Sequence, residues 1–193
     1  MMARTYRLKR RAERQNDTRE RIVEATVELH TTLGPARTSI LAIAERAGVE
    51  RPTVYRHFPT TDALFTACTS HFRAHHPAPD PEPWLAIDAP EARLRQGLGE
   101  LYAYYAEHEA ALWVIIRDLE DNPELRRFAE PNVRHRERAV EVLVAAWPEA
   151  QTPKLRAFIG HVTDFFAWRS LRRQGLANEE AVEMMVELAR AVR

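Results

Sequence analysis

The stretch TSILAIAERAGVERPTVYRHF, residues 38–58, decides the fold, because it predicts two short helices joined by a tight turn. Thr38 is the predicted N-cap of the first helix, over 39–47, since its hydroxyl can accept from an unpaired backbone N–H. Gly48 ends that helix, because glycine readily adopts the left-handed conformation of a helix C-terminus. The second helix begins near Arg51, with Pro52 in its first turn, where a missing N–H costs nothing.

The outer face of this second helix carries the polar chemistry of the stretch. Val54 and Phe58 are four residues apart and are predicted to point inward. Most of the remaining positions carry donors that suit phosphate oxygens and base edges; they are Arg51, Thr53, Tyr55, Arg56 and His57. Periodicity alone leaves open an ordinary helical hairpin with charged outer faces.

The charge distribution along the 193 residues is uneven, although the net charge is zero. Residues 1–58 carry 12 Lys+Arg against 7 Asp+Glu, whereas residues 59–193 carry 16 against 21. A basic first part on an acidic remainder favours a nucleic-acid module joined to a part that does not touch nucleic acid.

Composition also argues against several classes of protein. Cys68 is the only cysteine, so an intrachain disulfide is impossible, which fits a reducing compartment. The sequence has no apolar run near the roughly 20 residues of a membrane span, and it begins without the apolar core of a signal peptide. We therefore expect a soluble, cytoplasmic protein. The sequence shows neither a nucleophile motif nor a glycine-rich phosphate loop, so we expect no enzyme, no cofactor and no metal.

Helical patterns fill most of the chain. Residues 1–16 read as a disordered basic tail that either reaches a minor groove or stays solvated. A helix is expected from Asp17, and another after Pro59. The proline-rich segment 77–90 reads as a linker or long loop. Beyond it we expect only helices, and about nine in the whole chain: a buried one over 110–116, a long one over 155–175 and a last one capped by Asn178.

Residues 17–72 resemble the DNA-binding domain of TetR-family transcriptional regulators. The matching residues are Thr38-Ser39-Ile40, Ile43-Ala44, Ala47-Gly48-Val49, Thr53 to Pro59, Asp62, Ala63 and Leu64-Phe65. The resemblance implies an all-α fold, in which an N-terminal three-helix domain with a helix-turn-helix is joined by a fourth helix to a C-terminal helical domain. The expected division is a tail over 1–16, a DNA-binding domain over 17–76 and an effector-binding and dimerisation domain over 77–193.

The resemblance also implies roles for individual residues at the DNA. By this resemblance, Arg51 and Thr53 would contact base edges or nearby phosphate, and Pro52 would contact a thymine methyl. Phosphate would be contacted by Tyr55, His57 and Ser39, and Arg56 could contact either a base edge or a phosphate. Thr61 stands where family members usually have a phosphate-binding lysine, so a charged contact is lost. Leu41 either touches a thymine methyl or is a tolerated surface leucine.

Two further groups of residues are candidates for ligand contacts. Aromatic and polar side chains of the C-terminal part could line an effector cavity, or could simply be core; they are Tyr102, Tyr105, Trp113, His161, Phe165 and Trp168. A histidine cluster ends the fourth helix, at His71, His75 and His76. It has two histidines at metal-ligand spacing but lacks a carboxylate or cysteine partner, so a polar helix end is the better interpretation.

These observations predict a homodimeric, sequence-specific DNA-binding regulator. We expect a repressor of a palindromic operator, released by a small-molecule effector. One alternative is a regulator of the same fold without a small-molecule ligand, and another is a helical enzyme or scaffold with a coincidental hairpin. The sequence identifies neither the effector, the operator nor the regulated genes, and it does not separate repression from activation.

Overall fold

The computed structural model describes the backbone of residues 2–147 and 152–192. This part of the chain contains helices but no strand, which confirms the all-α prediction. Two short 3-10 helices, Pro35–Arg37 and Glu82–Ala86, accompany ten α-helices. The α-helices are α1 Met2–Thr32, α2 Ile40–Ala47, α3 Arg51–His57, α4 Thr61–His75, α5 Pro90–Glu107, α6 Glu109–Asp121, α7 Pro123–Val144, α8 Pro153–Val162, α9 Phe165–Arg173 and α10 Asn178–Val192.

The chain divides into two compact units. The first, here called the head unit, comprises the described residues up to Pro77 together with Ala110–Phe128. The second, the body unit, comprises Ala78–Glu109 and the described residues from Ala129 onward. The functional boundary expected at residue 76 stays a prediction, but as a packed body the head unit also includes most of α6 and the start of α7.

The head unit is built around the apolar faces of α1 to α4. Helix α1 packs against both α2 and α4, and α2 packs against α3. Completely or almost completely buried side chains meet there, because helical spacing places them on the inner faces; they include Ile22, Ile43, Val54 and Leu64. Gly48 adopts φ 63° and ψ 41° at the end of α2, as its position predicts. The turn between α2 and α3 is therefore fixed by backbone conformation as well as by packing.

Helix α1 begins much earlier than expected. The sequence predicted a disordered tail over 1–16 and a helix start at Asp17, but α1 runs from Met2. Its first half lacks glycine and proline and is rich in Arg, Lys, Ala, Glu and Gln, which favour helix. The hydroxyl of Thr18 donates to the carbonyl oxygen of Arg14, one turn earlier, at 2.8 Å. The side chains of Arg4, Arg7 and Arg11 lie outside the described residues.

The cap of α2 also differs from the prediction. Ser39 is the N-cap, and its Oγ accepts from the backbone N–H of Ala42 at 3.1 Å. The hydroxyl of Thr38 instead donates to the carbonyl oxygen of Gly34 at 2.8 Å. The sequence offered two adjacent hydroxyls, and the second one occupies the capping position.

In the body unit, α10 packs against α5 and α8. The long helix expected over 155–175 is two helices, broken at Thr163 and Asp164. Thr163 Oγ1 donates to the carbonyl oxygens of Ile159 and Gly160, and Asp164 caps α9 by accepting from Phe166 N–H. These two side chains end one helix and begin the next without glycine or proline.

Two other helical predictions require correction. Residues 111–116 of α6 are half-buried rather than buried, although the segment is apolar nearly all round. The side chain of Asn178 does not serve as the expected cap of α10, because its Nδ2 donates to Tyr102 O and its Oδ1 accepts from Trp168 Nε1. Helix α7 is continuous through Pro131. Within the described chain, the helices lack the combination of length and apolar character that a membrane span requires.

Candidate DNA-binding surface

Helix α3 separates an inner apolar face from an outer polar face, as the sequence predicts. Val54 is completely buried and Phe58, the C-cap residue, is 3% exposed. Arg51, Pro52, Tyr55 and Arg56 are exposed, whereas Thr53 and His57 are half-buried; Tyr55 is 41% exposed. A solvent-facing helix that carries guanidinium and phenol groups can enter a major groove without rearrangement of its own core.

Arg51 and Tyr55 contact each other on this outer face. Arg51 Nη2 donates to the Tyr55 hydroxyl oxygen at 3.2 Å, and Arg51 Cζ lies 5.6 Å from the centre of the phenol ring. One turn of helix separates the two residues, which makes the contact geometrically natural. The contact restricts the flexible guanidinium to one side of the helix, which lowers the conformational entropy that Arg51 has to lose in any contact with a ligand.

The helices before and after α3 in the chain, α2 and α4, have at their N-termini the hydroxyl residues predicted to bind phosphate. Ser39 is exposed at the start of α2, and its hydroxyl proton remains available for a phosphate although its oxygen accepts from Ala42 N. Thr60 caps α4 by accepting from Ala63 N at 3.2 Å, and Thr61 is the exposed first residue of α4. Backbone N–H groups at helix N-termini favour anions, so both places suit phosphate.

Arg19 adjoins the end of α3, a position that the sequence did not reveal. Its Cζ lies 4.8 Å from the centre of the Phe58 ring. Partial burial, together with the charges of Arg56 and Arg19, lowers the pKa of His57. The imidazole therefore tends towards its neutral form, in which one ring N–H remains as a donor. This position of Arg19 could not be inferred from the sequence, because its neighbours, from Arg56 to Phe58, lie about 40 residues away.

Four of the six candidate effector residues lie in the body unit and are buried. The hydroxyl of Tyr102 donates to Val162 O at 2.9 Å, and that of Tyr105 donates to Thr163 O at 2.7 Å. Burial raises the pKa of both hydroxyls. The rings of Tyr105 and Phe165 are 5.6 Å apart at 87°, and Trp168 packs against both. The polar groups of this aromatic cluster (Tyr102, Tyr105, Phe165 and Trp168) are therefore already bonded within the protein.

The other two candidates are placed differently. His161 is exposed on α8, and Trp113 is half-buried on the part of α6 that belongs to the head unit. Near His161 on the chain, Asp164 bonds to Arg136 at 2.5 Å, and Arg169 bonds to Glu109 at 3.0 Å.

Two of the three histidines at the end of α4 stack on each other, and the ring of the third, His76, lies against Phe72. The rings of His71 and His75 are 4.1 Å apart at 24°, and His75 Nδ1 lies 2.9 Å from His71 O. Among the described residues, no three His, Cys, Asp or Glu side chains are grouped as metal ligands would be.

The arrangement defines a helix-turn-helix protein, and comparisons with known proteins specify the class. Residues 22–68 match the model of the family "Bacterial regulatory proteins, tetR family". An uncharacterized HTH-type transcriptional regulator of Mycobacterium bovis is 42% identical over 59 residues, which are 30% of this chain and 31% of that protein. The chain spans less than half the length of the curated relatives it matches.

Solved structures share the fold along most of the chain. A TetR-like transcriptional regulator from Rhodococcus sp. RHA1 covers 89% of this chain and 93% of its own at 20% identity, with a TM-score of 0.60. The transcriptional regulator FadR from Bacillus subtilis, solved with stearoyl-CoA, covers 88% and 96% at 16% identity, with a TM-score of 0.57. The family model places residues 22–68 in the tetR family of bacterial regulatory proteins, and over most of its length the chain shares the fold of TetR-like regulators.

Proposed function

We propose that the chain acts as a homodimeric repressor that binds a palindromic operator through α3 and is released by a small-molecule effector. The observation that carries the proposal is the outer face of α3, where Arg51, Tyr55 and Arg56 are exposed while Val54 anchors the helix from below. In a two-fold symmetric dimer, two such helices require half-sites whose centres are about 34–36 Å apart, or a multiple of that.

The aromatic cluster of the body unit supports an apolar effector. The hydroxyls of Tyr102 and Tyr105 and the indole N–H of Trp168 are bonded to protein atoms. These side chains therefore present ring faces and edges to an effector, and not free hydrogen-bonding groups. FadR of Bacillus subtilis, which shares the fold, was solved with stearoyl-CoA. We propose that the part of the effector that meets this cluster is apolar, as a stearoyl chain is, and that the chain has no catalytic role.

Selection of genomic DNA fragments by the purified full chain tests the proposal directly. We expect retained fragments to share an inverted repeat, and we expect a metabolite library to contain apolar compounds that raise the melting temperature and release that DNA. Retention without sequence preference would contradict operator recognition. Retention of one repeat with no stabilising compound across the library would favour the regulator without a ligand.

Replacing Arg51 by alanine is expected to weaken binding to the selected operator by about 1–3 kcal/mol and to relax specificity at one base pair, because the proposed base contact of Arg51 is lost. Arg156→Ala is the matched control, because Arg156 is an exposed arginine on α8 of the body unit. Binding measured against operators with each half-site position changed in turn checks the result. Equal losses for both variants would assign Arg51 a non-specific electrostatic role at most.

Introducing lysine at Thr61 is expected to restore the charged phosphate contact that this chain lacks. The affinity should rise at low salt, and the slope of log K against log salt should steepen by about one, because one more counterion is released. Ser70→Lys is the control, since Ser70 is also exposed on α4 and the substitution adds the same charge further from the helix N-terminus. If both variants gave the same slope, the start of α4 would not lie against a phosphate.

A further inference from the structure

Asp118 on α6 is a buried carboxylate that binds the backbone turn after α1. It is 5% exposed, and its Oδ2 accepts from the backbone N–H of Ala36 at 3.0 Å. Its Oδ1 accepts from Arg117 Nε at 2.9 Å and from Arg117 Nη2 at 2.6 Å, so the negative charge is balanced by its neighbour. Because a buried carboxylate is costly unless it is fully bonded, this arrangement ties α6 to one particular position of the turn.

The bound turn has little freedom of its own. Gly34 lies at φ 101° and ψ 152°, a conformation that is essentially restricted to glycine. A methyl group on Gly34 would overlap Oδ2 of Asp118 and lie 2.9 Å from its Cγ. On the other side, the hydroxyl of Thr38 donates to Gly34 O and the N–H of Thr38 donates to Pro35 O. The turn is therefore held against Asp118 and against the chain that follows it.

The chain that follows the turn is the start of the helix-turn-helix. Ser39 caps α2 directly after Thr38, and α2 packs against α3. Ser39 is also one of the exposed hydroxyls predicted to bind a phosphate. Only three residues therefore separate Ala36, whose N–H bonds to Asp118, from the N-terminus of α2.

We propose that Asp118 is a positioning residue for operator binding: its bond to Ala36 holds the turn that sets the N-terminus of α2. The inference rests on the proposed function, and it assigns a DNA-directed role to a residue that lies 82 positions beyond the turn and outside α1–α4. Asp118 acts through the turn and touches no part of the predicted DNA face. Its loss is expected to loosen the cap of α2 as well as the turn.

Two substitutions at Asp118 test the inference in the full-length protein. Asp118→Leu removes the acceptor, and we expect operator binding to weaken roughly tenfold, the order of effect of one lost charge-assisted hydrogen bond. Asp118→Asn keeps an oxygen for Ala36 N–H, so it should recover most of that loss. Binding is measured below the melting temperature of each variant, and amide exchange is followed at Ala36 and at Ala42, whose N–H bonds to the cap Ser39.

Ile22→Val is the control for a loss of stability alone, because Ile22 is a core residue of the same unit. Faster exchange at Ala36 and Ala42 with weaker binding in Asp118→Leu, and neither effect in Ile22→Val, would support the inference. Equal operator affinity for Asp118→Leu and Ile22→Val, in a wild-type protein that does bind, would overturn the inference but leave the proposed function intact. A wild-type chain that retains no DNA fragment would overturn both.

Discussion

Replacing Gly34 by alanine is expected to destabilise the head unit by about 3–5 kcal/mol, through backbone strain and steric overlap together. The backbone there adopts φ 101°, where a side chain is strained whatever the surrounding space. The added methyl group also overlaps Asp118, whose carboxylate is buried and bonded on both oxygens. Chemical denaturation, followed by a probe in the head unit, measures the change in the free energy of unfolding.

Alanine substitutions at two other glycines separate the effect of backbone strain from the effect of steric overlap. Gly175 has φ 93°, but a Cβ there would meet no atom within 4 Å, so Gly175→Ala should show the strain alone, about 1–3 kcal/mol. Gly160 lies inside α8 with equally open surroundings, and Gly160→Ala should stabilise its helix by roughly 0.5–1 kcal/mol. A loss at Gly34 no greater than that at Gly175 would show that Asp118 moves aside freely.

The helix-turn-helix of the head unit was predictable because its determinants are local. Gly48, Pro52 and the spacing of Val54 and Phe58 fix the hairpin within 20 residues, and each is found where its chemistry predicts. The start of α1 was not predictable in the same way. Asp17 and Glu20 resemble a capping signal, but a run of good helix formers precedes them and the helix simply continues through it.

Structural features that depend on residues distant in the chain could not be predicted from the sequence. Periodicity described 110–116 as apolar without showing what covers it; Ala110 is exposed and residues 111–116 are half-buried. Asp164, the cap of α9, also accepts from Arg136, 28 residues earlier in the chain, and the sequence around either residue does not indicate that pair. The same holds for Asp118, because nothing in the residues around it indicates a bond to Ala36. These contacts are set by packing of elements that are remote in the chain, and one sequence carries no local signal for them.

The stability of the head unit is expected to fall as the pH decreases from about 6.5 to about 4, because His30 is buried. His30 is 6% exposed, its ring packs edge-on against Phe65 at 4.6 Å, and its Nδ1 lies 3.5 Å from Cys68 Sγ. Its Nε2 has no hydrogen-bonding partner within the part of the chain that the structure describes. Burial lowers the pKa of His30 from 6.5 to about 4, although the charge of Asp118 opposes that shift.

The sign of the effect follows from which state binds the proton. Above pH 6.5 the imidazole is neutral in both folded and unfolded chains, and its contribution is constant. Between pH 6.5 and 4 the imidazole of His30 is protonated in the unfolded chain but stays neutral in the folded chain. The free energy of unfolding therefore falls by up to about 1.4 kcal/mol per pH unit. The total loss from this one group approaches about 3 kcal/mol near pH 4.

His30→Phe isolates this contribution, because phenylalanine keeps an aromatic ring against Phe65 and cannot be protonated. At pH 7 the variant should be as stable as the wild type or more stable, since it removes a buried nitrogen without a partner. Carboxylates that titrate near pH 4 affect both proteins equally, so the difference between the two stability curves reports His30 alone. The difference should open below pH 6.5 and level off near pH 4, whereas parallel curves over that range would mean that His30 takes up its proton in the folded protein as readily as in the unfolded one.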